Sequence, residues 1–225
     1  LVQPTNYTYC AGETTALIEF LVENPSGNFR MATPKLLRRV PPNYAWTNDT
    51  PAIGLAAAGT NTIAAFTALN SGSTPLVATI TATPQFNGCT GTPQTFTITV
   101  KPIPTLTDPT DQVVTAGSQT AAVAFSGPVT GTTYAWTNDT PAIGLAASGT
   151  GDIAPFTALN PGTTPLVATI TVTPSNAECG NGAPRTFTIT VNPLPVLVQP
   201  TNYTYCAGET TALMEFFLES SEANR

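Results

Sequence analysis

The sequence predicts an all-β protein built from tandem Greek-key β-sandwich modules. Two observations carry this expectation. First, long segments recur word for word: YAWTNDTPAIGLAA stands at Tyr44–Ala57 and again at Tyr134–Ala147, and LVQPTNYTYCAGETTAL at Leu1–Leu17 and again at Leu197–Leu213. Recurrence at domain-sized spacing makes each unit a folding module. Second, the apolar residues between turn signals alternate with period two, as they do in strands that bury one face.

Superposing the copies divides the chain into three. Residues 1–104 form a long-type module with an insertion at 23–43, and residues 105–195 form a short-type module. Residues 196–225 are the truncated N-terminal part of a third, whose MEFFLESSEANR follows the long type. The identical ends make 196 residues the expected period of a longer array. Proline-rich joints, KPIPTLTDP at Lys101–Pro109 and NPLPVLVQP at Asn192–Pro200, favour extended backbone and should act as short, semi-rigid connections.

The strands of the first module can be read in order. Asn6–Cys10, Thr15–Val22, Tyr44–Thr47, Ile53–Ala56 and Ile63–Leu69 are short β-favouring runs. In Pro75–Pro84, Leu76, Ala78, Ile80 and Ala82 share one face, against Val77, Thr79, Thr81 and Thr83. In Gln94–Val100, Phe96, Ile98 and Val100 oppose Thr95, Thr97 and Thr99. Asn-Asp-Thr-Pro, Asn-Ser-Gly and Asn-Gly mark the turns. A helical period is absent except for the short MATPKLLRR of the insertion. About seven short strands per module of this size indicate an immunoglobulin-like sandwich in the broad sense. Trp46 and Trp136 fall on the third strand and are expected in the core, with Tyr44 and Tyr134 at the rim.

Composition narrows the function classes. Charged residues make up 9% of the chain and threonine about a fifth, so solubility comes from β-branched hydroxyls rather than charge. Histidine is absent, which removes the commonest metal ligand and general base. With no nucleophile–base pair, no paired carboxylates at a repeated position and no phosphate loop, an enzyme is not expected. A net charge of −6 disfavours nucleic acid, and no apolar run is long enough to insert in a membrane.

Four cysteines are present, none in a CxxC pair. Cys10 precedes the second strand and Cys89 lies between the last two, and a disulfide between them is expected. It would imply an oxidising, extracellular or cell-surface location. The second module has Thr115 in the place of Cys10, which leaves Cys179 without a partner of its own; Cys206 should pair further along the array.

Other candidate positions carry ordinary structural explanations. Asp49 and Asp139, in the repeated NDTP, are expected to belong to Asx turns. Structural calcium there would need more converging oxygens than one carboxylate supplies, and no cofactor is expected. Asp108, Asp111 and Asp152 are scattered in the same way. Thr79, Thr81, Thr83, Thr95, Thr97 and Thr99 could form a flat threonine grid of the kind seen on ice-binding surfaces, though a solvent-facing sheet needs no further reason. Arg30, Lys35, Arg38 and Arg39, four of the seven basic residues, lie in the insertion and are candidates for an intermodule or intersubunit contact. The Asn-x-Thr triplets at Asn6, Asn48, Asn138 and Asn202 are not read as glycosylation sites. TALMEFFLES, in the third module, holds a strand whose apolar face is expected to lack a partner within the chain.

WTNDTPAIGLAASGTGDI, PLVATITVTP, NGCTGTP and TFTITVNPLP resemble the PKD-like, Ig-like repeats of Bacteroidetes giant cell-surface adhesins, including the gliding-motility type. The resemblance implies export by the type IX route. It also implies a structural role, as a semi-rigid stalk or spacer whose partners are neighbouring modules or copies of the same protein. A glycan- or protein-binding module, or an accessory region of a secreted enzyme, is the alternative.

Overall fold

The computed structural model describes residues 5–20, 43–86, 88–197, 202–211, 213–215 and 218–219. The insertion residues Arg30, Lys35, Arg38 and Arg39, with the MATPKLLRR segment, lie outside the described residues. The chain divides into two compact units. The first comprises Leu1–Pro104, Pro128–Gly131 and Asn176–Asn181; the second comprises Thr105–Gly127, Thr132–Ser175 and Gly182–Arg225.

The protein is all-β, and each unit is an Ig-like sandwich built on one mixed sheet. In the first unit the strands are β1 (Tyr7–Cys10), β2 (Asn43–Asn48), β3 (Ala58–Thr60), β4 (Leu76–Phe86), β5 (Cys89–Thr90) and β6 (Gln94–Lys101), with the order β1-β6-β4-β2-β3 and β5 paired to β4. The central pairs are antiparallel, with Ile80 opposite Phe96 and Trp46 opposite Ala82. β1 alone runs parallel, matching Tyr7 to Ile98 and Cys10 to Lys101.

The second unit repeats the plan. Its sheet is built from β7 (Gln112–Thr115), β8 (Thr133–Asn138), β9 (Ser148–Thr150), β10 (Leu166–Asn176) and β12 (Arg185–Asn192), in the order β7-β12-β10-β8-β9, and β11 (Gly180–Asn181), which lies in the Asn176–Asn181 segment, pairs with β10. Again the first strand is parallel to the last, with Gln112 opposite Ile189.

The second layer of each sandwich is extended chain held by few ladder bonds. Ile18 and Ile63 exchange both backbone bonds at 3.0 Å, Gly12 N–H donates to the Ala68 carbonyl, and Thr15 N–H donates to that of Phe66. Among the described residues only isolated bridges result, at Thr14–Thr67 and Ile18–Ile63, where full strands at Thr15–Val22, whose last two residues lie outside the described residues, and Ile63–Leu69 were expected. One rung is made by a side chain: the buried Thr15 hydroxyl accepts from Phe66 N–H at 3.0 Å, as the Thr120 hydroxyl does from Phe156 at 3.1 Å. Ile53–Ala56 is not a strand either. Pro51–Ile53 forms one 3₁₀ turn, started by its proline and stopped by Gly54 at φ 95°, a conformation that suits glycine.

Alternation places the core. Ala78, Ile80 and Ala82 of β4 and Phe96, Ile98 and Val100 of β6 face Ile18, Ile63 and Ala68 of the second layer, all buried. Trp46 and Trp136 are buried within their respective cores. Tyr44 is also buried, at 7% exposure, because its ring packs on Phe20 at 5.6 Å between centroids; the rim position expected for it is incorrect. The indole N–H of Trp136 donates to the Gly151 carbonyl at 3.2 Å.

In the third sequence copy, β14 (Leu218–Glu219) pairs antiparallel with β13 (Val196–Leu197). Its backbone thus finds a partner at the start of the same copy, while Leu213 and Met214 of TALMEFFLES are exposed.

Gly59 and Gly149 lie against the faces of the Trp46 and Trp136 rings, and a Cβ at either would collide with the indole. Gly149→Ala should therefore destabilise the second unit by about 1–3 kcal/mol, seen as a lower urea midpoint, while Ser148→Ala beside it changes stability by less than about 0.5 kcal/mol.

Candidate functional site

The polar groups that the sequence repeats are occupied in holding turns. Asn48 is buried: its side-chain N–H groups donate to the carbonyls of Leu55 at 3.0 Å and Ala56 at 3.3 Å, and its side-chain oxygen accepts from Thr50 N–H at 3.0 Å. This is the Asx turn expected of NDTP, and Asn138 repeats it with the same distances. Asp49 accepts from the Thr79 backbone N–H at 2.7 Å and from the Thr50 hydroxyl at 2.9 Å; Asp139 accepts from Thr169 and Thr140 at 2.8 and 2.9 Å. These bonds to the ionised carboxylates, the backbone N–H first, hold both carboxyls below the usual aspartate range.

A second amide, that of the Asn-Ser-Gly turn, does more than mark the turn it was expected to mark. Asn70 donates to the carbonyls of Val100 at 2.7 Å and Thr74 at 2.9 Å and accepts from Gly72 N–H. Asn160 does the same in the second unit. Its signal was present in the repeated Ala-Leu-Asn, but only the sheet places β6 within reach of that turn.

The remaining acidic residues are also engaged. Asp111 accepts from Thr188 N–H at 2.6 Å, which adds one more rung beside the β7–β12 ladder, and Asn6 does the same for Thr97 at 3.0 Å. Asp152 accepts from Phe125 N–H at 2.8 Å, and Asp108 lies 3.4 Å from the Arg185 side chain. The threonines do come together in part. Thr79 faces Thr97 and Thr81 faces both Thr95 and Thr47, but Thr99 is opposite Val77 and Thr83 opposite Ala45, so the grid is broken at both ends.

The disulfide is where sequence and structure part. Cys10 is bonded to Cys179, with Cα atoms 5.5 Å apart at a sequence separation of 169, while Cys89 and Cys206 are free and exposed. The expected Cys10–Cys89 pairing is thus wrong, and the parallel register explains why. Cys10 lies beside Lys101, at the end of β6, whereas Cys89 precedes the start of β6 at Gln94. The length of β6, about 23 Å at roughly 3.3 Å per residue, separates the two levels, and a disulfide tolerates at most about 7 Å between Cα atoms.

Cys179 is presented on the Asn176–Asn181 tip, which belongs to the first compact unit together with Cys10. The Asn176 side chain accepts from the N–H groups of Glu178 and Cys179, at 3.2 and 2.7 Å, and shapes the tip. Lys101 pairs with Glu178 at 2.8 Å beside the bond. This ion pair is partly exposed, so its contribution is of the order of 1 kcal/mol or less. On the other side, Cys10 N–H donates to the Glu13 carboxylate at 2.8 Å.

Because the folded-state carboxyls of Asp49 and Asp139 sit low, their ionised bonds contribute stability above the unfolded aspartate range, lost as pH falls through their folded values. The urea midpoint should therefore drop on acidification below about pH 4, and the Asp49→Asn, Asp139→Asn double variant should show a shallower acid slope. An unchanged slope in the variant would refute the assignment.

No family model and no curated protein sequence matches the chain. Among solved structures it is similar to DIP-gamma IG1+IG2, with 12% identity over 85% of this chain and 96% of that one and a TM-score of 0.48. It is also similar to mouse cadherin-23 EC22-24, with 16% identity over 95% and 75% of the two chains and a TM-score of 0.43. The fibronectin(III)-like modules of Clostridium thermocellum CbhA share 16% identity over 84% and 90%, with a TM-score of 0.30.

Proposed function

We propose that this chain is a load-bearing spacer: a repeat region of an extracellular bacterial surface adhesin of the kind its sequence resembles, acting mechanically rather than catalytically. The observation that carries the reading is the Cys10–Cys179 bond. A disulfide persists in an oxidising compartment, which supports an extracellular setting. Tension applied along the chain outside these two residues passes through the sulfur–sulfur bond. The residues between them are then spared the load and cannot add to its length.

Once that bond is reduced, a second line of resistance comes into play within each unit. The first strand enters and the last strand leaves side by side and parallel. Pulling a unit by those strands slides them past one another, so that their ladder bonds bear force together rather than parting one by one. Asn6 and Asp111 add a rung to this clamp in each unit.

Single-molecule extension tests the proposal. The bond hides a sequence separation of 169 residues, so its reduction, or the Cys10→Ser change, should add about 570 Å of extended length at roughly 3.4 Å per residue. Equal extension of oxidised and reduced chains would refute the spacer reading.

A further inference from the structure

The two units carry one fold twice, and they differ at the turn that covers the tryptophan. In the second unit the Trp136 indole N–H donates to the Gly151 carbonyl at 3.2 Å. Asn61 is the counterpart of Gly151 in the first unit. The backbone there is alike: φ is 69° at Gly151 and 65° at Asn61. Gly151 N–H donates to the Tyr134 carbonyl at 2.9 Å, and Asn61 N–H to that of Tyr44 at 2.7 Å. Trp46, however, keeps its indole N–H buried without a partner. The Asn61 side-chain oxygen accepts from Tyr44 N–H at 3.4 Å, a further hold on β2 that glycine cannot make, and the Asn61 carbonyl does not take up the indole. Asn61 also carries a side chain at a left-handed φ, which glycine adopts freely and asparagine at a cost.

Two further ties of the second unit change in the first. Asp152 accepts from Phe125 N–H at 2.8 Å and so fastens the turn to the second layer. Its counterpart is Thr62, which is exposed and has no carboxylate. Gln112 brackets the second layer with two bonds: its side-chain amide donates to the Ala121 carbonyl at 3.2 Å and accepts from Ala121 N–H at 3.0 Å. In the first unit Tyr7 stands at that position, and Ala16 N–H donates instead to the Tyr9 hydroxyl at 3.4 Å.

Few ladder bonds and an unmade buried hydrogen bond are the marks of a segment that opens locally. The two tryptophans set the balance. Opening in the second unit breaks the Trp136–Gly151 bond, whereas opening in the first breaks no such bond and lets water satisfy the Trp46 indole. We propose that the first unit opens locally along β3, the Asn61 turn and the second layer at Ile18, while the matching segment of the second unit stays closed. The chain thus pairs a yielding module with a firm one. This inference does not depend on the chain bearing force, and its readout is taken without tension.

Native-state hydrogen exchange of the whole disulfide-bonded chain, followed amide by amide by NMR, is the test. Three matched pairs report it: Asn61 with Gly151, Ile63 with Ile153, and Ile18 with Val123, each N–H donating to the equivalent backbone carbonyl. After correction for intrinsic rates, the first member of each pair should exchange about tenfold faster than the second, and faster than the β4–β6 ladder of its own unit. Equal rates within the pairs overturn the proposal. So does exchange of Asn61, Ile63 and Ile18 at the rate of that ladder, which means the unit opens only as a whole. Turn exchange then assigns the cause. Asn61→Gly with Thr62→Asp should slow the three amides of the first unit by about threefold or more, and Gly151→Asn with Asp152→Thr should speed those of the second. Matched amides that move in neither variant refute the inference.

Discussion

The parallel pairing of the first strand with the last is the constraint on which the rest of each unit depends. It brings the start of a module to the end of the same module and sets β1 against β6, with Cys10 level with Lys101. That register decides which cysteine Cys10 can meet. It also brings the two connections of the unit out along neighbouring strands, which is the geometry in which backbone ladders resist sliding.

The remaining polar apparatus supports this sheet. The second layer has few ladder bonds of its own, so side chains stand in for them: the buried Thr15 hydroxyl supplies a missing rung, and the half-buried Asn70 ties its turn to the Val100 carbonyl of β6. Asn48 and Asp49 close the turn after β2 and hold it to β4. Among the described residues the Trp46 indole N–H is the buried polar side-chain group left without a partner. A chain with so few charges ties its turns with amides and hydroxyls, which need no counterion and lose less on burial. This use explains why the repeated Asn, Asp and Thr residues look like a candidate site in sequence and behave as framework in structure.

Much of the fold was legible because its signals are local. The alternation in Leu76–Ala82 and Phe96–Val100 states which face is buried, and the structure follows it residue by residue. NDTP announces an Asx turn for the same reason: its donors and acceptors lie within a few residues of one another. The second layer was overread as full strands because periodicity reports burial, and Ile18 and Ile63 are buried without regular ladders around them. Tyr44 was misplaced because Phe20, its packing partner, is far away in sequence.

The sequence by itself determined the repeats, the alternating strands, the tryptophan core positions and the absence of histidine chemistry, since each follows from composition or short-range pattern. Only the tertiary structure decided the cysteine pairing. Spacing suggested Cys10 with Cys89, but whether two thiols meet depends on strand direction: a first strand antiparallel to β6 would reverse the level at which Cys10 lies. Parallel pairing carries it to the far end of β6 instead, where the tip bearing Cys179 meets it. Strand direction is settled by contacts between residues about ninety apart in sequence, such as Tyr7 and Ile98, and no local pattern records it.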